Sequence, residues 1–211
     1  MRAIASVFRG GGSAKRRAIL LSAVLLAVAA GYPVPGKANG LRVEVTDSSF
    51  RCMTDMTKVR HFYVDNLLGN LEETVAVAIA GKGDYPPGSV VQLMPNEVMV
   101  KHHKGYSPGT RDWEFFFIDV SPEGSKIFRR GLSAVNNRLG MNCFDCHVKA
   151  RPEHDFICEQ TNGCDPIPVT REMFGALQRT DPRCGTKEVS PQDAEALRQL
   201  GEIVKALTGN K

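Results

Sequence analysis

Residues 112–119 read Asp-Trp-Glu-Phe-Phe-Phe-Ile-Asp, with apolar or aromatic side chains on both of the faces that a strand presents. A strand of this kind is buried on both sides or packs against a large group. The segment therefore predicts a strand in the interior of a β-sheet, and we expect partner strands before it in the chain.

Two segments before this strand predict a β-hairpin, at residues 89–94 and 98–103. Turns of the sequences Tyr-Pro-Pro-Gly and Tyr-Ser-Pro-Gly bound the hairpin at residues 85–88 and 106–109. Near the start of the same region, a short strand is predicted from three alternating apolar residues, Leu41, Val43 and Val45.

A helix is predicted between Asn70 and Gly81, because Asn70 and Glu73 form the pattern of a capping box and Gly81 is a typical C-terminal stop. The apolar residues between them also alternate as in a strand, so that interpretation stays open. Further along, residues 173–177 predict a short helix. A terminal helix is predicted after Ser190, with its apolar residues on one side.

The first 38 residues have the pattern of an export signal. They contain six Lys or Arg and no acidic residue, and an apolar run of about 13 residues begins at Ala18. This run is shorter than the roughly 20 residues that cross a bilayer, so we predict a cleaved signal peptide at residues 1–38. An uncleaved membrane anchor is the alternative, and periplasmic export is expected in either case.

Removal of that leader changes the charge of the protein. It leaves 21 Lys and Arg against 23 Asp and Glu, a net charge of −2, so we expect no nucleic-acid partner. The rest of the chain predicts a single domain over residues 39–211. Its core is expected at residues 42–160, and a C-terminal extension with disulfides and the terminal helix at residues 161–211.

Cys143-Phe144-Asp145-Cys146-His147 has the Cys-x-x-Cys-His pattern of c-type haem attachment. Two thiols three positions apart can bond the two vinyl groups on one porphyrin edge, and the histidine reaches the iron as an axial ligand. A redox-active thiol pair and half of a zinc site are the competing interpretations. The chain has neither a βαβ pattern nor a second Cys-x-x-Cys, so we predict one covalent haem c, held by Cys143, Cys146 and His147.

Four cysteines remain, Cys52, Cys158, Cys164 and Cys184. An even number in an exported chain predicts disulfides, and four cysteines allow three pairings. The turn-like residues between Cys158 and Cys164 favour a bridge there, with Cys52 and Cys184 as the second pair. Buried free thiols are the alternative.

Five motifs occur in a fixed order over residues 62–156. They are Tyr-Pro-Pro-Gly-Ser-Val-Val from Tyr85, Gly-Tyr-Ser-Pro from Gly105, Asp-Trp-Glu-Phe-Phe from Asp112, the haem motif, and His-Asp-Phe from His154. In this order and spacing the chain resembles the cytochrome P-460 family and its relative cytochrome c′-beta. The resemblance implies an α+β fold, with a mainly antiparallel β-sheet, flanking helices and the haem motif in the C-terminal half. It also implies a frequent homodimer and an open sixth position on the iron, used for hydroxylamine oxidation or nitric oxide binding.

One position departs from this family. Its hydroxylamine-oxidising members cross-link a lysine to the porphyrin, from the strand after the Pro-x-Gly turn. Leu93 stands where the resemblance places that lysine, and Lys101 and Lys104 on the next strand are the nearest alternatives. The departure favours electron transfer or gas binding over oxidation.

The residue across the iron from His147 decides between these functions. A methionine or a second histidine would complete a six-coordinate electron carrier. If Phe115 and Phe117 wall an apolar distal pocket instead, the iron stays open to small ligands. Glu114, on the other strand face, would then relay protons or pair with an arginine. The methionine and histidine candidates are Met53, Met56, Met94, Met99, Met141, Met173, His61, His102, His103 and His154.

We therefore expect an exported monohaem c-type cytochrome that acts in electron transfer with a redox partner protein. The first alternative is a five-coordinate haem protein that binds or detoxifies nitric oxide. A haem oxidoreductase that oxidises hydroxylamine is the second alternative, and a subunit of a larger complex is the third.

Overall fold

The computed structural model describes residues 42–159, 161–185 and 188–209, and the predicted leader at residues 1–38 lies outside these ranges. Their centre is a six-stranded antiparallel sheet in which each strand pairs with its neighbours in the chain. The strands are β1 (Thr57–Val59), β2 (Phe62–Asn66), β3 (Ser89–Met94), β4 (Glu97–Lys101), β5 (Trp113–Ser121) and β6 (Gly124–Gly131). The helices in these ranges are α1 (Leu71–Ala80), α2 (Cys143–His147), α3 (Arg171–Arg179) and α4 (Pro191–Thr208). The predicted α+β class with a mainly antiparallel sheet is confirmed.

β5 lies between β4 and β6 and is buried on both faces, as predicted. Trp113 and Phe115 point to one face, whereas Phe116 and Ile118 point to the other, and none of the four is more than 1% exposed. The first face packs against α1 and the motif helix α2. The second face is covered by the N-terminal segment at residues 43–56. The motif helix is therefore placed on one defined side of the sheet.

The N-terminal segment corrects one prediction. Val43 and Val45 are buried against the second face of the sheet, but they have no strand pairing, and Leu41 lies outside the described residues. Their alternation comes from an extended chain that buries one of its sides on a sheet face. The backbone carbonyl of Val45 is bound by Arg130 Nη1 at 3.0 Å instead of by a neighbouring strand.

One strand end and one whole strand also differ from prediction. β4 ends at Lys101, so His102 and His103 lie in the following loop and not in a strand. β6 was not predicted, because its residues are mostly exposed and leave no apolar face to detect. It forms an edge strand by backbone pairing with β5, and Ile127 and Arg130 add side-chain contacts to the second face of the sheet.

The predicted helices are present, with corrections at their starts. α1 ends at Gly81, whose φ of 65° is the left-handed C-cap that glycine favours. Asn70 is the N-cap, but its ψ of 42° is not extended and its side chain makes no cap bond, so the capping box with Glu73 was wrong. The helix predicted at residues 173–177 is longer, as α3. α4 begins as predicted, with the Ser190 side chain accepting the Asp193 N–H at 3.1 Å.

Both favoured disulfides are confirmed. Cys52 pairs with Cys184 across a Cα distance of 4.9 Å, and Cys158 pairs with Cys164 across 5.6 Å. The first bridge joins the N-terminal segment to the turn before α4, and the second closes a small loop after the motif helix. None of the helices in the described ranges is both long and apolar enough for a membrane crossing.

Candidate functional site

The motif helix α2 is short, and one asparagine fixes its start. The side-chain oxygen of Asn142 accepts the backbone N–H of Asp145 at 3.1 Å. Its amide nitrogen donates to the carbonyl of Ser133 at 2.8 Å and to Asn136 Oδ1 at 3.0 Å. Because residues three apart share a helix face, Cys143 and Cys146 point the same way. Both line one cavity.

This cavity has a volume of about 1290 Å³ and lies against the first face of the sheet. Residues after α2 also line it, among them Ile157, Pro166 and Phe174. The volume exceeds the roughly 300–1,000 Å³ of ordinary ligand pockets, so the cavity has room for a ligand larger than most. The sheet contributes an apolar wall from β2, β3, β4 and β5, made of Phe62, Val91, Leu93, Met99 and Phe115.

The imidazole of His147 also lines this cavity, and a backbone carbonyl fixes its orientation. Its Nδ1–H donates to the carbonyl oxygen of Phe156 at 2.6 Å, which leaves the lone pair on Nε2. Burial lowers the pKa of His147, so the ring is neutral at neutral pH. A neutral imidazole with a backbone acceptor on its second nitrogen is the usual form of a metal-ligating histidine.

The two motif thiols do not have the properties of a redox pair. Cys143 and Cys146 are not bonded to each other, although all four other cysteines are bridged. Burial raises the pKa of Cys143 to about 12 and also raises the pKa of Cys146. Reactive redox thiols have a lowered pKa, so the raised pKa of both thiols disfavours that interpretation. Across the described ranges, no three His, Cys, Asp or Glu side chains converge as a metal site requires.

The structure separates the predicted sixth ligands of the iron into two groups. Four of them line the cavity, namely His61, Met94, Met99 and Met141. The other six lie elsewhere: Met53 and Met56 under the second sheet face, Met173 on α3 where it packs against α4, His102 and His103 in the loop after β4, and His154 in a short 3-10 helix.

The predicted distal pocket is only partly assembled. Phe115 lines the cavity, with its ring centroid 5.4 Å from that of His147, so it lies beside the imidazole. Phe117 does not line the cavity and packs against Phe128 at 6.1 Å. Glu114 points to the second sheet face, where its carboxylate binds Arg130 Nε at 2.7 Å. Of the three residues, the structure brings only Phe115 to the cavity.

The two lysines considered for a porphyrin cross-link also lie away from the cavity. Leu93 lines the cavity, at the position where the resemblance places a lysine. Lys101 Nζ binds Asp155 at 2.7 Å, and Lys104 is exposed in the loop after β4. Neither of these two side chains contributes to the cavity wall.

Glu97 is a cavity residue that the sequence did not reveal. It begins β4 directly after the Pro95-Asn96 turn, where a carboxylate is usually solvated. Two positions before Met99, it shares the strand face that lines the cavity. Burial raises the pKa of Glu97 to about 7, with a smaller opposing effect from Asn137 and Arg138. Its position in the strand register was the one signal that could have identified it.

This raised pKa predicts a pH-dependent stability. The folded chain holds the Glu97 proton more tightly than the unfolded chain does. The free energy of unfolding should therefore fall as the pH rises from 4.5 to about 7, by at most about 3 kcal/mol. Urea unfolding at pH 5 and pH 8 measures the change. Glu97→Gln should remove this component, whereas Glu44→Gln, at an exposed site, should keep it. An unchanged slope in Glu97→Gln would contradict the assignment.

No family model, curated protein or solved structure matches the chain. The resemblance to the cytochrome P-460 family therefore stays a prediction from its motifs. The chain's own residues point to a function: two free thiols on one helix face and an oriented imidazole line one large cavity.

Proposed function

We propose that this chain is an exported c-type cytochrome with one haem bonded to Cys143 and Cys146 and ligated by His147. The supporting observation is the joint placement of the two unbridged thiols and the backbone-oriented imidazole on one large cavity. Two disulfides in the same domain favour an oxidising compartment such as the periplasm.

The donor set fits a covalent haem c. The thiols lie three positions apart on α2, the sequence spacing of haem c attachment, and His147 keeps its Nε2 lone pair for iron. The apolar sheet wall excludes water from one side of the cavity. When bound, the haem would supply a one-electron redox couple, and the protein sets its potential through ligands, hydrogen bonds and burial.

Electron transfer to a partner protein is the activity we place first. Four side chains able to act as a sixth ligand line the cavity, and axial methionine raises a haem potential into a range suited to electron carriers. The lysines considered for the oxidase cross-link point away from the cavity. A haem oxidoreductase that oxidises hydroxylamine is therefore the least supported alternative.

Binding of a small ligand such as nitric oxide is the second candidate. It is favoured by the apolar sheet wall, where Phe62, Leu93 and Met99 line the cavity beside the half-buried Glu97. In that case no side chain would complete the iron coordination. A homodimer or a larger complex is compatible with either candidate.

Carbon monoxide separates the two candidates. We expect the reduced protein to show a sharp low-spin α-band that carbon monoxide does not change, because a cavity side chain would hold the iron together with His147. Replacing that side chain, as in Met99→Leu, Met94→Leu, Met141→Leu or His61→Leu, should make one variant responsive to the gas. Met53→Leu, buried on the other face, is the control. A broad high-spin band that shifts with carbon monoxide in the unmodified protein would instead support the ligand-binding candidate.

A further inference from the structure

Two residues beside the motif histidine hold a backbone conformation that L-amino acids rarely adopt. Asp155 has a φ of 46° and Phe156 has a φ of 65°. For a bulky residue such as Phe156, this conformation persists only where surrounding contacts hold it. The Phe156 carbonyl is the acceptor for His147 Nδ1. The direction of that carbonyl therefore depends on what holds Asp155.

Asp155 is held mainly by the sheet. Lys101 Nζ donates to its two carboxylate oxygens at 2.8 and 2.7 Å, and the backbone N–H of Tyr85 donates to Oδ2 at 2.9 Å. The indole N–H of Trp113 donates to its carbonyl oxygen at 2.8 Å. Lys101 ends β4 and Trp113 begins β5, so the position of Asp155 is set by two adjacent strands.

The ion pair is buried, with side-chain exposures of 9% for Lys101 and 1% for Asp155. Lys101 Nζ also donates to the carbonyl of Arg111 at 2.7 Å, so its position is fixed as well. Because charges lose hydration on burial, such a pair adds little net stability compared with apolar side chains. A geometric role accounts for its presence better than stability does.

We infer that Lys101 and Asp155 are positioning residues for the His147 imidazole, acting through the main-chain carbonyl of Phe156. The inference rests on the proposed function, since it concerns the histidine that would ligate the iron. A carbonyl acceptor on Nδ1 makes the imidazole a stronger donor at Nε2 and favours the oxidised state. Loss of the ion pair frees the carbonyl to turn, weakens that bond and raises the reduction potential.

The test is the double substitution Lys101→Met with Asp155→Asn, which leaves the net charge unchanged. We expect the oxidation equilibrium of the holoprotein to shift at least tenfold toward the reduced state, about 59 mV for one electron. Lys101→Arg, which keeps the charge and the donors, should stay within threefold of the unmodified protein. The matched control is Arg183→Met with Asp181→Asn, a pair that is equally buried but away from the cavity, and it should also stay within threefold.

A milder variant covers the case in which the double substitution does not fold. Trp113→Phe removes the donor to the Asp155 carbonyl without changing charge, and a shift of the same sign is expected. The inference would be overturned if the oxidation equilibrium of every folded test variant stayed within threefold of that of the unmodified protein. An equal shift in the control would also overturn it.

If the proposed function is wrong, the chain without substitutions will carry no haem, which is a different result from an unshifted potential. The positioning role is then measured by NMR of the haem-free chain. The His147 Nδ1 proton should exchange slowly with water in the unmodified chain and rapidly after the double substitution. Equal exchange rates in the two chains would overturn the inference in that state also.

Discussion

Replacing Cys143 and Cys146 together with serine will abolish covalent haem in the exported protein. Each thiol supplies one of the two bonds to the porphyrin edge, and the hydroxyl of serine does not add to a vinyl group under the same conditions. The variant, expressed with haem-attachment machinery, should give no haem signal on a denaturing gel, while the unmodified chain gives a full signal. Single replacements should retain one bond and a weaker signal.

The matched control removes two cysteines that are already paired. Cys158→Ser with Cys164→Ser opens the small loop after α2 and leaves both motif thiols in place. This control should keep its full haem signal. Covalent haem that persists in the motif variant, or disappears equally in the control, would show that the attachment site has been assigned wrongly.

Removing the long disulfide should cost far more stability than removing the short one. The Cys52–Cys184 bridge closes a loop of 132 residues, whereas Cys158–Cys164 closes one of 6. From the loop-closure entropy of the unfolded chain, replacing the first pair with alanine should lower the free energy of unfolding by about 5 kcal/mol. Replacing the second pair in the same way should cost about 2 kcal/mol.

Denaturant unfolding of the two double variants, with the unmodified protein as reference, measures this difference. The larger loss for Cys52→Ala with Cys184→Ala has a second cause in the structure, since Asp181 in the same turn accepts the Met53 N–H at 3.1 Å. Equal losses in the two variants would contradict the account, because the bridges would then not act through the length of chain that they close.

The parts of the fold that could be predicted are those with a strong local pattern. Residues 112–119 predicted a doubly buried strand because apolar side chains fall on both faces, and Gly81 predicted the end of α1. β6 could not be found in this way, since its residues are exposed or half-buried and form no apolar stripe, and their partners in β5 and the N-terminal segment are brought together only by the fold. The strand predicted at Val43 and Val45 was wrong, because an extended chain that packs one side on a sheet face shows the same alternation as a strand.

In the candidate site too, residues close in sequence could be predicted and residues brought together by the fold could not. Cys143, Cys146 and His147 are adjacent in sequence, so their joint placement could be predicted from spacing. The partners of His147 could not, because Phe156 contributes only a carbonyl whose direction is set by distant Lys101 and Trp113. Tertiary contacts of this kind leave no trace in local spacing.

The intact mass of the exported, reduced and acid-denatured chain tests the central proposal most directly. A covalent haem survives treatment that extracts every loosely bound haem, because two thioether bonds hold it to α2. We predict one species, heavier than the mature polypeptide by the mass of one haem. A chain with the mass of the polypeptide alone, recovered from cells that attach haem to a control cytochrome, would contradict the proposal.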